Sequence, residues 1–362
     1  MSTTISPVPV PGTSRVRPLA LAGLALVVAL VGLLWAKWLP YTDRAVTIAG
    51  SRAWKGTSLL LAGEGLNPFV RAWRFTLLYS DAVWRALLVA LVISACVNVL
   101  VPRRWLLRVL GRSTPLGGSV AGGLAALPGM MCTCCSAPLT VTMRRAGVPT
   151  AAALAFWLGN PVLNPAVLVF LALLAPWPWV AVRVALGLVL VVGVSALLGH
   201  LASRRESAAL PSGASSAVES ALADPEPEPT LAQLPGRLLR SFARLAVVLV
   251  PEYLLVVFLV GLVGPPLSHA LGHGGALAVL VAGAVGMLLV LPTGGEIPVV
   301  LGLAAAGASA GVLGALLLAL PALSLPSILM VGRALGWRVT LSAAGATVAV
   351  AVVAGGLLTV LT

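Results

Sequence analysis

Leu127-Pro128-Gly129-Met130-Met131-Cys132-Thr133-Cys134-Cys135-Ser136-Ala137-Pro138 interrupts an apolar stretch, residues 116–143, that would otherwise read as a membrane helix. Pro removes a backbone donor, and Pro-Gly favours a break. The piece after the break, residues 132–143, has 12 residues, about 18 Å as helix, too short for a hydrocarbon core of about 30 Å. The stretch therefore reads as a re-entrant hairpin. Residues 275–306 are interrupted in the same manner at Leu291-Pro292-Thr293-Gly294-Gly295-Glu296-Ile297-Pro298.

The two breaks belong to a longer repeat. Pro138, Gly147 and Pro161 recur as Pro298, Gly307 and Pro321, each 160 residues on. Ala146, Ala155 and Leu163 face Ala306, Ala315 and Leu323 at the same offset, weaker matches in so apolar a chain.

Composition sets the solvent. Of 362 residues 59% are hydrophobic and 9% charged, and mean hydropathy is +1.06. Soluble domains carry about 25% charged residues, so the chain cannot cover itself with a water-compatible surface. It reads as an integral membrane protein, which excludes soluble enzymes and nucleic-acid binders. Full-length spans are expected at 18–35, 82–101, 150–175, 180–200, 245–263, 310–330 and 340–360. Residues 41–81 read as a polar external loop with interfacial helical pieces. Residues 203–236, with Asp224-Pro225-Glu226-Pro227-Glu228-Pro229, read as a flexible linker with a stiff acidic stretch.

The net charge of +13 reads as cytoplasmic loop charge by the positive-inside rule. With the first hairpin re-entrant, Arg103, Arg104, Arg108 and Arg112 share a side with Arg144, Arg145, Arg204, Arg205, Arg237, Arg240, Arg244, Arg333 and Arg338. That side is the cytoplasm. The expected architecture is all-α, with seven crossings and two hairpins, amino terminus inside and carboxyl terminus outside; eight crossings is the rival count. Its parts are a tail, first helix and loop (1–81), a first repeat (82–202), the linker (203–236) and a second repeat (237–362). An odd number of crossings per repeat makes the two repeats inverted, with broken or re-entrant helices near the midplane, as in secondary transporters.

The breaks carry the chemistry. Thiolates and thioethers select thiophilic centres such as copper(I) or zinc, and trivalent arsenic behaves similarly. In an extended break Cys132 and Cys134 point the same way, whereas in a helix Cys132 and Cys135 share a face. Glu296 aligns with Ser136 and would sit at the start of a half-helix, where backbone N–H groups favour an anion. An ionisable group at membrane depth is a functional candidate by default, so Glu296 is a candidate for proton coupling. Glu252 is a second candidate and Arg183 a third, with snorkelling at an interface the alternative for both. Asn160-Pro161-Val162-Leu163-Asn164-Pro165 breaks the third span and offers amides and freed carbonyls to a solute. Ser324 takes the place of Asn164 in the second half.

Cys132-Thr133-Cys134 with Pro138, Arg145-Ala146-Gly147, Ala155-Phe156 and Asn160-Pro161…Asn164-Pro165 resembles the ArsP-type predicted permeases. Gly295-Glu296-Ile297-Pro298, Gly307 and Leu325-Pro326-Ser327 resemble that family's second half, so the likeness covers roughly residues 82–362. The resemblance implies export of trivalent organoarsenicals, with Cys132 and Cys134 binding the arsenic. Thr133, the additional Cys135 and the long Pro/Glu linker depart from the pattern.

The leading expectation is a multi-pass permease of the cell membrane that exports a small thiophilic solute, methylarsenite being the best guess. The alternative is a zinc or copper permease using the same sulfurs with Glu296. A membrane thiol-redox protein using Cys134 and Cys135 is a third reading, disfavoured because adjacent cysteines form a strained disulfide and no His is near in sequence. No Gly-x4-Gly-Lys-Ser/Thr loop is present. ATP hydrolysis is therefore not evidently encoded, and the chain is expected to be a permease, not an enzyme, with no cofactor. Its expected partners are the solute and the lipid bilayer but no nucleic acid, with homo-oligomers left open.

Overall fold

The computed structural model describes residues 16–54, 66–101, 103–112, 114–209, 233–270, 275–305 and 307–362, and among them every regular element is a helix. α1 (Val16–Leu33), a π-helical turn (Leu34–Trp38) and α2 (Leu39–Ser51) run on without a break. α3 (Pro68–Leu100) and the short α4 (Arg103–Leu110) lead to the first hairpin, α5 (Pro115–Ala126) and α6 (Thr133–Arg145). α7 (Thr150–Val162) and α8 (Pro165–Leu174) follow, then α9 (Trp177–Leu188), a second π-helical turn (Val189–Val194) and α10 (Ser195–Ala209). The second half begins with α11 (Leu234–Ala270) and its hairpin, α12 (Ala276–Gly286) and α13 (Glu296–Ala305). It ends with α14 (Ala310–Ala322), α15 (Leu325–Leu335) and α16 (Trp337–Leu361).

Among the described residues six helices are long and apolar enough to cross a bilayer, and the pair α14–α15, bent by 53°, makes seven. These lie where the seven spans were expected.

The region 41–81 is where the sequence reading needs correction. Residues 41–51 continue the first helix and 68–81 begin α3. Their polarity is that of a solvated helix face: Thr42, Asp43, Arg44 and Thr47 are exposed, while Ile48 is buried. Asn67 starts α3 by accepting from the Phe69 N–H at 3.0 Å, with Pro68 at the first helical position. The linker is likewise shorter than expected, because α10 runs to Ala209 and α11 starts at Leu234.

α7 and α14 form the centre. All of α7 is buried, and so is α14 from Gly311 onward, as befits helices apolar on every side. In lipid, close packing replaces the hydrophobic drive between helices, so small residues line the contacts. α5 lies on α7 with Gly122 against Ala152, where a β-carbon would strike the Ala152 carbonyl. α14 lies on α16 with Gly314 against Ala354, a β-carbon there falling 2.6 Å from the Ala354 oxygen.

The offset of 160 recurs in the backbone. α7 and α14 start at Thr150 and Ala310 and end at Val162 and Ala322; α9 and α16 start at Trp177 and Trp337. The turns ahead of the central helices match bond for bond. Gly147 N–H donates to Arg144 O and Gly307 N–H to Ala304 O, both at 3.0 Å. Both glycines have positive φ, 89° and 85°, the region that favours Gly.

Candidate functional site

The hairpin of the first half does not stay within its half. α6 packs against α15 as well as α3 and α7, so the first break meets the broken crossing of the second half. A small cavity at this junction has room for about one water molecule. Cys132, Thr133, Pro161, Leu291, Pro292, Thr293, Glu296, Leu320, Pro321 and Ser324 line it.

The first break is held from two sides. The Met131 N–H points to Asn160 Oδ1 at 3.4 Å, and Trp38 Nε1–H donates to Pro128 O at 2.9 Å. Met130 between them takes a left-handed φ of 46°, uncommon for a residue with a side chain. Cys132 is the N-cap of α6. Cys132 and Cys135 are one turn apart with sulfurs at 3.2 Å, whereas Cys134 turns to Ser324, its sulfur 3.1 Å from the Ser324 hydroxyl. The Thr133 and Ser324 hydroxyl oxygens are 3.0 Å apart. All four cysteines are free thiols, and the three at the break are buried.

Proline explains the polar groups around this cluster. Pro161 cannot donate to Trp157 O, and the Ser136 hydroxyl reaches that oxygen at 3.5 Å. Pro165 cannot donate to Pro161 O; Arg183 Nη2 does so instead at 3.1 Å, and Arg183 Nε donates to Val162 O at 3.2 Å. The same Nη2 meets Glu296 Oε1 at 2.9 Å, with side-chain exposures of 0% and 3%. Arg183 therefore does not snorkel. It clamps the break in the third span and pairs with the first residue of α13.

Asn160 and Asn164 lie outside the cavity wall and serve the backbone. Asn160 Nδ2 donates to Phe156 O at 2.9 Å. Asn164 caps α8, its Oδ1 accepting from Ala166 N–H at 3.1 Å and Val167 N–H at 3.3 Å. Ser324, at the matching cap of α15, lies on the wall and donates its N–H to Ser327 Oγ at 3.2 Å. The side chains of Glu252 and His269, and residue 273, a His, lie outside what the structure describes; His200 is exposed.

Lys37 is the residue that sequence reading missed. Flanked by Trp35 and Trp38, it looks like the interfacial end of a first helix, but that helix continues to Ser51. Lys37 sits on the π-helical turn, 6% exposed, with Nζ 3.0 Å from Tyr41 OH and 3.2 Å from Thr293 Oγ1. Such turns often mark functional sites, and a lone Lys inside an apolar run was the available signal. Tyr79 and Tyr253 lie with ring centroids 5.9 Å apart, tilted by 41°, with buried hydroxyls that lack a well-formed hydrogen bond.

The profile of the predicted permease family ArsP_1 matches residues 69–360. The UPF0718 protein YraQ of Escherichia coli (strain K12) is 39% identical over 338 residues, covering 92% of this chain and 93% of that protein. No solved structure matches. Two membrane-embedded breaks, a thiol cluster between them and a family match spanning both halves agree with one another, and the chain belongs to the ArsP_1 predicted permeases as a multi-pass membrane transporter.

Proposed function

We propose that the protein is a secondary permease exporting a small thiophilic solute, with trivalent organoarsenicals such as methylarsenite the best-fitting class. The observation that carries the reading is the Cys132–Cys135 sulfur pair, 3.2 Å apart at a helix break, with Cys132 on the cavity wall. With bonds of about 2.3 Å, typical of zinc–sulfur bonds, an atom bridging that span subtends roughly 90°. This is nearer the pyramidal angle of a trivalent arsenic than the tetrahedral angle of structural zinc. Methylarsenite would exchange its two hydroxyls for the two sulfurs, each thiol proton leaving with a hydroxide as water, so the step needs no oxidant. A transition-metal cargo has less support: among the described residues no group of three or more His, Cys, Asp or Glu is arranged to hold a metal ion.

Alternating access supplies the release step. Antiparallel halves, each with a broken helix at the shared cavity, give two related conformations that open to opposite sides. Glu296 is the coupling candidate. Its protonation would release Arg183 and loosen the link between α9 and α13.

Uptake of methylarsenite into everted membrane vesicles tests the reading, with wild type beside Cys132→Ser, Cys134→Ser and Cys135→Ser variants. Cysteine-dependent uptake is expected. A wild-type protein verified in the membrane that moves no methylarsenite would remove this cargo, and zinc or copper accumulation would then be measured in the same vesicles.

A further inference from the structure

The surroundings of the thiol cavity carry more positive charge than negative. Lys37 and Arg183 are both buried, and Glu296 is the one carboxylate paired with either among the described residues. Two cations against one carboxylate leave a single excess positive charge. Its location follows from the hydrogen bonds. Glu296 faces Arg183, whereas Lys37 meets the neutral hydroxyls of Tyr41 and Thr293 and the face of the Tyr41 ring, 5.2 Å from its centroid. An ammonium has three N–H donors, so Lys37 keeps one unspent.

One more observation points the same way. Arg183 Nη1 is buried without a partner, and Arg183 holds the break between α7 and α8, whose Pro161 lines the cavity. Both free groups are donors. A membrane-depth site with surplus donors and one surplus cation is complementary to an anion. Thr293, which receives Lys37, shares the cavity wall with Cys132, Ser324 and Glu296, and Pro161, whose carbonyl Arg183 holds, lies on the same wall.

We infer that Lys37 and Thr293 form an anion-binding subsite beside the thiol cluster, so that among thiophilic solutes the site prefers one that carries a carboxylate or oxyanion close to its soft centre over a neutral one such as methylarsenite. The inference rests on the permease reading for its cargo. In it Lys37 neutralises the anionic group while Cys132 and Cys135 take the soft atom. The closed cavity is smaller than such a solute, which therefore enters in a more open conformation.

The test compares an anionic and a neutral methanethiosulfonate of similar size, in full-length protein whose cysteines other than Cys132 are Ser. In this protein Cys132 reacts preferentially with the anionic reagent. In Lys37→Met the ratio of anionic to neutral rates falls on the order of tenfold, the size expected for removing one nearby unit charge; Lys37→Arg, which keeps the charge, holds the ratio at or near its original value. An equal fall in both rates would instead make Lys37 the counter-ion of a Cys132 thiolate and overturn the inference. An unchanged ratio, or a cavity that admits neither reagent, overturns it as well. A second arm measures vesicle uptake of phenylarsenite and of its 4-carboxylate by wild type and Lys37→Met. Selective loss of the carboxylate supports the subsite, and equal loss of both overturns it. If wild type moves neither arsenical while the reagent ratio still falls, the subsite stands and the arsenical cargo is wrong.

Discussion

Arg183 and Glu296 are 113 positions apart in the chain yet meet at 2.9 Å with both side chains buried, joining α9 of the first half to α13 of the second. The pair is a link between halves as well as a clamp on the break at Pro161–Asn164. Removing one partner of a buried pair strands the other, which costs about 3–5 kcal/mol. Glu296→Gln and Arg183→Met are each expected to lower thermal stability in detergent clearly. The double variant Arg183→Met, Glu296→Met recovers part of the loss, because two apolar groups strand no charge. Additive losses in this cycle would mean that the two side chains do not depend on one another. Transport by Glu296→Gln with an unaltered pH profile would end the proton-coupling role.

The sulfur geometry makes an unequal forecast for the three cysteines. Cys132 and Cys135 share a face of α6, and Cys134 bonds toward Ser324. Cys132→Ser and Cys135→Ser are each expected to weaken binding of a trivalent arsenical by at least about tenfold, or 1.4 kcal/mol. Cys134→Ser should cost less, since a hydroxyl can still meet Ser324. Titration of the purified protein with phenylarsine oxide, read by remaining free thiols, ranks them. A Cys134 variant as impaired as the other two would restore the pairing that family resemblance implies.

What the sequence revealed and what it hid follow from the range of each interaction. Apolar length set the seven spans, and Pro with Gly marked both breaks, because these are local backbone effects. The halves were legible from Gly147 and Gly307, where a positive φ restricts the residue type. The partners of the site were not local. Arg183 looked like a snorkelling residue until Pro161 and Val162 supplied carbonyls for it. Asn160 and Asn164 looked like solute ligands, yet the backbone takes their oxygens. Lys37 was hidden because α1 and α2 join through a π-helical turn, turning an expected helix end into a helix middle.

The matched turns give a stability test of the repeat. Gly147 and Gly307 hold the same left-handed conformation ahead of the central helices, and no atom lies within 4 Å of where a β-carbon on Gly307 would stand. Gly307→Ala therefore pays only for backbone, about 1–2 kcal/mol. Gly147→Ala should fall in the same range. Gly23→Ala, in the lipid-facing part of α1 with equally open space, should cost nothing. Melting curves of the three purified variants decide the matter. A harmless Gly307→Ala would show that the turn relaxes to another conformation.

Equivalent positions of the halves also report their relative direction. Arg145 ends α6 and Ala305 ends α13, 160 residues on, and both are exposed. If each half crosses an odd number of times, these two ends emerge on opposite sides of the membrane. The positive-inside rule places Arg144 and Arg145 in the cytoplasm with Arg103, Arg104 and Arg108, so Ala305 faces outward. The measurement is labelling of Arg145→Cys and Ala305→Cys by a membrane-impermeant maleimide, the native cysteines replaced by Ser. Ala305→Cys should label in intact cells, and Arg145→Cys only after permeabilisation. Labelling of both from one side would make the halves parallel, and the two-sided opening on which the transport reading depends would lose its basis.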